Sequence, residues 1–326
     1  MSIRRDSSEG LEQSMSNVQH AIELRNQKWS NNDKIPSWVD INTVGLDQFF
    51  TRPEVAKECV GHLHSVMLAN ASDPSLFTYV EPSVGDGAFY DKLPEYRRLG
   101  IDIDPRRKDF LQADFLSWLP GEFRKPVAMV GNPPFGYRAW LALAFMNHAA
   151  KFADYVGFIL PMAFQSDGKG SPKFRVQGLQ LVETKLLPPD SFVSPSGKSV
   201  KVNAIWQVWK KGENIKLLAP KCDQWIDLFT VDQRKERLCG HERMHEADFF
   251  LQRTFYNQPP NLVTKFEDVK YVCGYGLVLK KKRSEIEAAL RDVDWNKYSN
   301  LAAHNCRHIS MYHIRRALTD LGYTDD

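Results

Sequence analysis

Cysteine is sparse in this sequence, and the pattern of its positions argues against two kinds of scaffold. The five residues are odd in number, widely spaced and never form a CxxC pair: Cys59, Cys222, Cys239, Cys273 and Cys306. This pattern speaks against a disulfide framework or a zinc ribbon and fits a reducing compartment. Cys239 with His241 and His245 lacks a convincing fourth ligand, so we expect no metal site.

Long hydrophobic runs and a strong net charge are also lacking. The most apolar stretch, residues 155–164, is too short for a membrane span and predicts a buried strand. The N-terminus has no apolar core of the signal-peptide kind. A formal net charge of +3 argues against a polycation that coats DNA, but it does not exclude nucleic acid as a substrate. We therefore expect a soluble intracellular protein of the cytoplasm, nucleoid or nucleus, with no membrane partner.

The 326 residues, 43% of them hydrophobic, have room for one large domain and a smaller one. Short β-rich runs alternate with helix-length segments, which predicts a parallel sheet with crossover helices. The predicted strands are residues 77–81, 99–103, 127–131, 155–160, 182–187 and 203–209. The predicted helices are residues 52–69, 137–153, 171–179 and 309–321. The predicted domains are an N-terminal arm or peripheral helix over residues 1–45, an α/β domain over 46–215 and a C-terminal region over 216–326.

A short glycine loop follows the first predicted strand. Gly85 and Gly87 allow the backbone to approach a ligand at a strand-to-helix turn. Asp102 ends the next strand, where a carboxylate can accept hydrogen bonds from ribose hydroxyls. The pair implies an adenosine-containing cofactor. Without a third glycine the loop fits a cofactor lacking phosphates, and S-adenosylmethionine is the leading candidate. The alternative is an ordinary loop with a surface carboxylate.

The tetrapeptide Asn132, Pro133, Pro134 and Phe135 follows the third predicted strand. Two prolines make the loop rigid and remove two backbone donors, so the loop presents carbonyls. Together with the asparagine amide it offers two acceptors for one NH₂ group, and Phe135 can stack on a base. The alternative is a plain turn with a core phenylalanine. Its place at the carboxyl end of a strand, where ligands of α/β sheets bind, favours the functional interpretation.

In combination, these motifs resemble N6-adenine DNA methyltransferases whose cofactor motifs precede the catalytic motif and whose target-recognition region is C-terminal, as in many type II restriction–modification systems. The resemblance covers residues 46–211, where residues 47–56, 81–89, 100–105, 113–115 and 132–135 follow the family's order. It implies a Rossmann-like S-adenosylmethionine-dependent methyltransferase sheet with helices on both faces, plus a smaller C-terminal α+β domain. It also implies direct in-line methyl transfer to adenine N6, without a covalent enzyme intermediate. An adenine inside a duplex is paired and inaccessible, so a DNA target implies base flipping or else a single-stranded substrate.

The resemblance assigns roles to individual residues. It implies cofactor contacts from Thr51, Glu81, Ser83, Gly85, Gly87, Asp102, Ile103, Asp114, Phe115 and Asn132. It implies a catalytic set of Asn132, Pro133, Pro134, Phe135 and Phe192. Phe192 matches a family aromatic that stacks on the second face of the adenine, and a core phenylalanine is the competing interpretation.

Basic residues are the candidates for phosphate contacts. They are Lys169, Lys173, Lys198, Lys201, Lys280, Lys281, Lys282, Arg283 and Arg307. Each group can equally be a solvated face. DNA is the expected substrate, and RNA stays open because the C-terminal region contains no recognisable module. Glutamine methylation fits the sequence before the glycine loop less well. A catalytically silent nucleic-acid-binding protein is the third hypothesis, ranked lowest because Asn132, Gly85, Gly87 and Asp102 are all present.

Overall fold

The computed structural model describes residues 49–121, 126–136, 139–168, 170–194, 196–215, 220–302 and 306–325. The predicted arm over residues 1–45 and Lys169 lie outside the described residues. The described chain divides into two compact units. The first contains the residues up to Pro161 together with Arg175–Ile215, and the second contains Met162–Phe174 and the residues from 220 onward. The segment Met162–Phe174, which lies inside the predicted domain 46–215, thus groups with the second unit.

The first unit contains the elements that surround the candidate site. Its described strands are β1 (Phe50–Thr51), β2 (Thr78–Glu81), β3 (Arg98–Asp102), β4 (Leu111–Gln112), β5 (Val127–Gly131), β6 (Tyr155–Pro161), β7 (Leu179–Leu186), β8 (Phe192–Val193), β9 (Ser199–Val200) and β10 (Ala204–Lys211). Its described helices are α1 (Pro53–Ala69) and α2 (Trp140–Ala149). Short 3₁₀ turns connect several of them.

Seven of these described strands form one sheet in the order β4-β3-β2-β5-β6-β10-β7. The pairs β2–β3, β3–β4, β2–β5 and β5–β6 are parallel, whereas β10 is antiparallel to both β6 and β7. From β2 the chain proceeds outward to β3 and β4 and then returns to β5 on the other side. The order therefore reverses between β2 and β5, and ligands of open α/β sheets bind at such a reversal.

Helices cover both faces of this sheet. Helix α1 begins with Pro53 in its first turn and buries Leu63 and Met67 in a cluster with Tyr155 and Trp206. Helix α2 contacts β6, and none of its residues belongs to that cluster, so it lies on the opposite face. The α/β prediction is confirmed. Among the described residues, no helix combines the length and apolarity needed to cross a lipid bilayer.

The predicted helix over residues 171–179 is wrong. The chain makes a single 3₁₀ turn over Pro172–Arg175, and strand β7 already begins at Leu179. Gly178 has a φ of +74°, a left-handed conformation that interrupts a helix. Leu179 then pairs with Lys211 of β10. The long-range strand pairing overrides the weak local preference for a helix.

The second unit is a smaller α+β assembly, as predicted. Its described strands and helices are β11 (Ile226–Asp232), β12 (Phe249–Gln252), β13 (Thr254–Phe255), β14 (Cys273–Leu279), α3 (Arg283–Arg291), β15 (Asn300–Leu301), β16 (Arg307–His308) and α4 (Met311–Asp320). They form the antiparallel sheets β11-β14-β12 and β13-β16-β15. Ile286 of α3 and Ile314 of α4 pack into one core with Leu251 and Leu277 of the first of these sheets.

Candidate functional site

Two loops meet at the reversal point of the large sheet. The glycine loop, residues 81–89, follows β2, and the NPPF loop, Asn132–Phe135, follows β5. Because β2 and β5 are parallel neighbours, the loops at their carboxyl ends lie side by side. The Ser83 hydroxyl donates a hydrogen bond to the Asn132 carbonyl over 3.2 Å, which ties the two loops together.

The glycine loop adopts a conformation that favours glycine at two positions. Gly85 has a φ of +54° and Gly87 a φ of +91°. The Gly85 amide donates to Asp102 Oδ2 over 2.8 Å, and the Asp104 amide donates to Asp102 Oδ1 over 3.0 Å. Each carboxylate oxygen can accept a second hydrogen bond, so Asp102 retains capacity for a ligand. Burial raises the pKa of Asp102, and Ile103 beside it is half-buried.

Glu81 lies beneath the glycine loop at the end of β2. Its side chain is buried, and its Oε2 accepts a hydrogen bond from the Tyr90 amide over 2.7 Å. Burial raises the pKa of Glu81 well above its usual value, and the nearby carboxylates of Asp86 and Asp102 raise it further. The raised pKa favours the neutral, protonated form of Glu81, so the negative charge near the loop comes from Asp86 and Asp102 and would repel a negatively charged ligand group.

The Asn132 side chain is held in one orientation. Its Nδ2 donates a hydrogen bond to the Phe49 carbonyl over 3.0 Å. Because a carbonyl can only accept, the amide nitrogen must face Phe49 and the amide oxygen must face the other way. Asn132 Oδ1 is buried, and it accepts no hydrogen bond from any described residue. A buried acceptor without a partner lowers the stability of the folded state. Asn132 Oδ1 can therefore accept a hydrogen bond from a donor on a ligand.

A small cleft lies beside this amide, and its empty space, counted together with the solvent at its mouth, is about 220 Å³. Its lining residues are Phe49, Asn132, Pro133, Phe135, Phe192 and Val202. Three aromatic rings and one amide suit a flat aromatic ligand with a polar group on its edge. Pro134 follows Pro133 in the loop and is half-buried.

Phe192 reaches the pocket from a distant part of the sequence. It lies in β8, which pairs antiparallel with β1 so that Thr51 is opposite Phe192. The Phe192 side chain is 1% exposed and belongs to the core cluster on the α1 face of the sheet. The same residue is thus both a core phenylalanine and part of the pocket lining.

The segment with β1 covers the glycine loop. The Phe50 ring lies 3.1 Å from the position that a Cβ on Gly85 would occupy. The Arg106 guanidinium lies over the Phe50 ring, 4.4 Å from its centroid. Thr51 is buried, and its Oγ1 makes no hydrogen bond with any described residue. A second polar atom without a partner therefore lies near the glycine loop.

Asp114 and Phe115 lie beyond β4. Asp114 Oδ1 accepts a hydrogen bond from the Leu116 amide over 3.2 Å and so caps a short turn. The Phe115 ring is 2% exposed, with its centroid 5.1 Å from that of Phe145 and 4.9 Å from that of the His148 ring. Phe115 thus packs on α2.

The basic candidates are spread over both units. Lys198 and Lys201 are exposed in the first unit. In the second unit, Lys173 pairs with Asp167 over 2.6 Å, and Arg307 donates to the Asn296 carbonyl. The four residues of the run 280–283 all contact their own unit: Lys280 the Asp223 carbonyl, Lys281 the Gln224 amide, Lys282 the Glu285 carboxylate and Arg283 the Asp248 carboxylate.

Sequence reasoning assigned no role to two of the pocket residues. Phe49 supplies both a ring and the carbonyl that orients Asn132, and Val202 lines the pocket. Phe49 stands next to Thr51 in a segment already singled out, but its contact with Asn132 depends on long-range folding. Within the described ranges, no three His, Cys, Asp or Glu side chains are grouped so as to hold a metal ion.

Comparison with known proteins gives a limited result. No family model and no curated protein matches the chain. Similar solved structures include a protein from Pyrococcus horikoshii proposed to be an RNA methyltransferase, with 15% identity, a TM-score of 0.37 and coverage of 51% of this chain and 88% of that one. The 23S rRNA methyltransferase ErmE has 16% identity, a TM-score of 0.34 and coverage of 52% of this chain and 72% of that one. The M protein of the type I restriction enzyme EcoKI has 14% identity, a TM-score of 0.35 and coverage of 52% of this chain and 45% of that one. Similarities this low carry no argument about the activity of this chain.

Proposed function

We propose that the chain transfers a methyl group from S-adenosylmethionine to the N6 amino group of adenine in DNA, as a site-specific enzyme of the restriction–modification kind. The observation that carries the proposal is Asn132 Oδ1, a buried acceptor without a described partner beside a pocket with aromatic walls. The N6 amino group of adenine is a donor on the edge of a flat aromatic ring, and it matches both features.

The residues around the glycine loop fit the proposed cofactor. Thr51 Oγ1 is a polar atom in need of a partner, and Asp102 can accept hydrogen bonds from ribose hydroxyls. The carboxylates of Asp86 and Asp102 disfavour a pyrophosphate and favour a cationic ligand. S-adenosylmethionine, when bound, supplies an electrophilic methyl group on a positively charged sulfur. Asp114 and Phe115 are the proposed contacts to its adenine, and Ser83 and Ile103 flank the site.

Within the NPPF loop, two acceptors act on the target nitrogen. We assign Asn132 Oδ1 and the Pro133 carbonyl to the two hydrogens of the N6 amino group. Two aligned acceptors favour a pyramidal nitrogen, whose lone pair is free to attack, and they stabilise the positive charge that develops on it. The Phe49 carbonyl and the Ser83 hydroxyl hold these acceptors in place before substrate binds. The surplus proton can leave to solvent, so no strong general base is required.

The target base enters the pocket between Phe135 and Phe192 in this proposal. An adenine inside a duplex is paired and stacked, so it must be flipped out of the helix to reach Asn132. Lys198 and Lys201 are exposed in the same unit and are available to neutralise phosphates.

The test is a transfer assay with isotope-labelled cofactor on duplex DNA, single-stranded DNA and structured RNA, with the modified nucleoside identified by mass. We expect N6-methyladenine in DNA. Asn132→Ala should abolish transfer while cofactor binding, measured by calorimetry, persists. Gln177→Ala, which removes an exposed amide from the same unit, is the matched control and should leave transfer unchanged.

Three results would change the assignment. Labelled RNA without labelled DNA would leave the fold assignment unchanged and make RNA the assigned substrate. A different modified nucleoside would replace the target atom. Cofactor binding without transfer to any nucleic acid would favour the catalytically silent alternative.

A further inference from the structure

Three chain segments converge at one end of the β12–β14 pair in the second unit. Gln252 of β12 is paired with Gly274 of β14, and just beyond them the Arg253 amide donates to the Cys273 carbonyl over 3.4 Å. Past this point the two segments carry Tyr256 and Tyr271, whose ring centroids are 6.5 Å apart. The β12 segment continues into β13, which pairs with β16.

A cation lies beside one of these rings. Lys270 precedes Tyr271, with its Nζ 5.9 Å from the ring centroid. We call these four residues the tyrosine–arginine surface: Arg253, Tyr256, Lys270 and Tyr271.

The two cations of this surface form no ion pair with a described carboxylate. Arg253 contacts the Cys273 thiol at 3.8 Å. In the predicted basic run, Lys280 and Lys281 likewise contact a carbonyl and an amide oxygen, whereas Lys282 and Arg283 pair with carboxylates. The tyrosine–arginine surface therefore carries positive charge that no described ion pair compensates, which suits a polyanion.

Of the two rings, that of Tyr256 is exposed to a planar ligand and that of Tyr271 is half-buried. Tyr256 is 51% exposed, and its ring is tilted by 56° against that of Tyr271, so the two rings do not stack face to face on each other. Exposed aromatic rings among unpaired cations are the usual platform for unpaired nucleobases, because every base has a face for stacking and every nucleotide a phosphate. Duplex DNA, whose bases are stacked inside, would not use the rings.

We propose that the tyrosine–arginine surface binds a single-stranded segment of nucleic acid by stacking its bases on Tyr256 and Tyr271 and neutralising its phosphates with Arg253 and Lys270. This inference deepens the proposed function, since it assumes a nucleic-acid substrate and specifies that part of it is unpaired. Single-stranded DNA and RNA share this chemistry, and the experiment distinguishes them.

The experiment measures fluorescence anisotropy of the full chain with labelled oligonucleotides of about 12 nucleotides as single-stranded DNA, single-stranded RNA or duplex DNA. Tyr256→Ala and Tyr271→Ala should each weaken single-strand binding about 10-fold, while Tyr256→Phe retains it because the ring remains. Arg253→Ala should lower the slope of log affinity against log salt by about 0.7. Tyr96→Ala is the matched control, since Tyr96 is 97% exposed in the first unit.

The outcomes separate this proposal from the proposed function. Unchanged single-strand binding by both tyrosine variants, or an equal loss of duplex binding, would overturn the surface even if methyl transfer is observed. The anisotropy test measures single-strand binding and not methyl transfer, so a chain that transfers no methyl group leaves this test intact. Thermal unfolding of each variant checks that the fold is unchanged. Preference for RNA over DNA of the same sequence would support the surface and identify RNA as its ligand.

Discussion

Replacing Phe192 tests whether this side chain contributes only to the stability of the core or also to methyl transfer in the pocket. The ring is 1% exposed, packs in the cluster beneath α1 and lines the pocket beside Asn132. If it served the core alone, a smaller apolar residue would cost stability and leave transfer unchanged. If it also stacks on the target base, the loss of the ring weakens transfer beyond the effect on stability.

The magnitudes follow from its burial. Phe192→Ala leaves a cavity in a fully packed site and should cost about 3–5 kcal/mol in the free energy of unfolding. At about 2 °C per kcal/mol or more for a unit of this size, the melting temperature falls by at least about 6 °C. Phe192→Leu keeps most of the volume and should cost about 1.5 kcal/mol or less. Loss of base stacking adds about 1–3 kcal/mol to the transfer barrier, a decrease of roughly 5- to 150-fold in kcat/KM.

The informative variant is therefore Phe192→Leu, which stays folded at the assay temperature. Chemical denaturation gives its stability, and initial transfer rates at subsaturating DNA give its kcat/KM. Phe192→Tyr, which retains the ring, is the control and should restore the rate. A leucine variant with reduced stability and unchanged kcat/KM would refute the stacking role and leave a core phenylalanine.

Three further predictions concern other parts of the chain. The raised pKa of Glu81 means that the folded chain holds this proton more tightly than the unfolded chain, so stability falls as pH rises above the unfolded pKa of about 4.3. Glu81→Gln should therefore raise the melting temperature at pH 8 more than at pH 4. An equal change at both pH values would contradict the raised pKa. Ser83→Ala removes the hydrogen bond to the NPPF loop and should lower kcat/KM by up to about 10-fold, with a loss of about 1 kcal/mol in stability; unchanged transfer kinetics would show that the hydroxyl does not position the loop. In the second unit, a Cβ on Gly276 would overlap the Phe229 ring, so Gly276→Ala should cost about 3 kcal/mol in denaturant titrations, whereas Gly170→Ala, with open space around it, should cost far less.

The sequence predicts the large sheet well because its strands carry strong local signals. The run 127–131 is apolar throughout, and the observed β5 is fully buried with the same bounds. The predicted helix over 171–179 fails because its apolar residues are too few to distinguish a helix from a turn followed by an edge strand. The chain forms a turn and a strand here, and not the predicted helix, because β7 pairs with β10. The local sequence pattern does not encode this long-range pairing.

The candidate site is predictable only in part for the same reason. The glycines and Asp102 stand at the ends of strongly predicted strands, so their proximity follows from sheet order. The two-residue strands β1 and β8 are too short to leave a periodic signal, and their pairing is what brings Phe49 and Phe192 to Asn132. The residue types were visible in the sequence, whereas the carbonyl that fixes the asparagine amide was not.

The pairing of β1 with β8 also has a consequence for the order of folding. It joins residues 50–51 to residues 192–193, across almost the whole first unit. Closing so long a loop costs entropy that only the completed sheet can offset, so this contact forms late. The pocket wall depends on it, and folding intermediates that already contain β2, β3 and β5 would still lack a closed pocket. Time-resolved hydrogen exchange should therefore protect the amides of β5 before that of Arg52, which donates to the Ser191 carbonyl beside this pairing, and the capacity to bind a base should appear only with the last step.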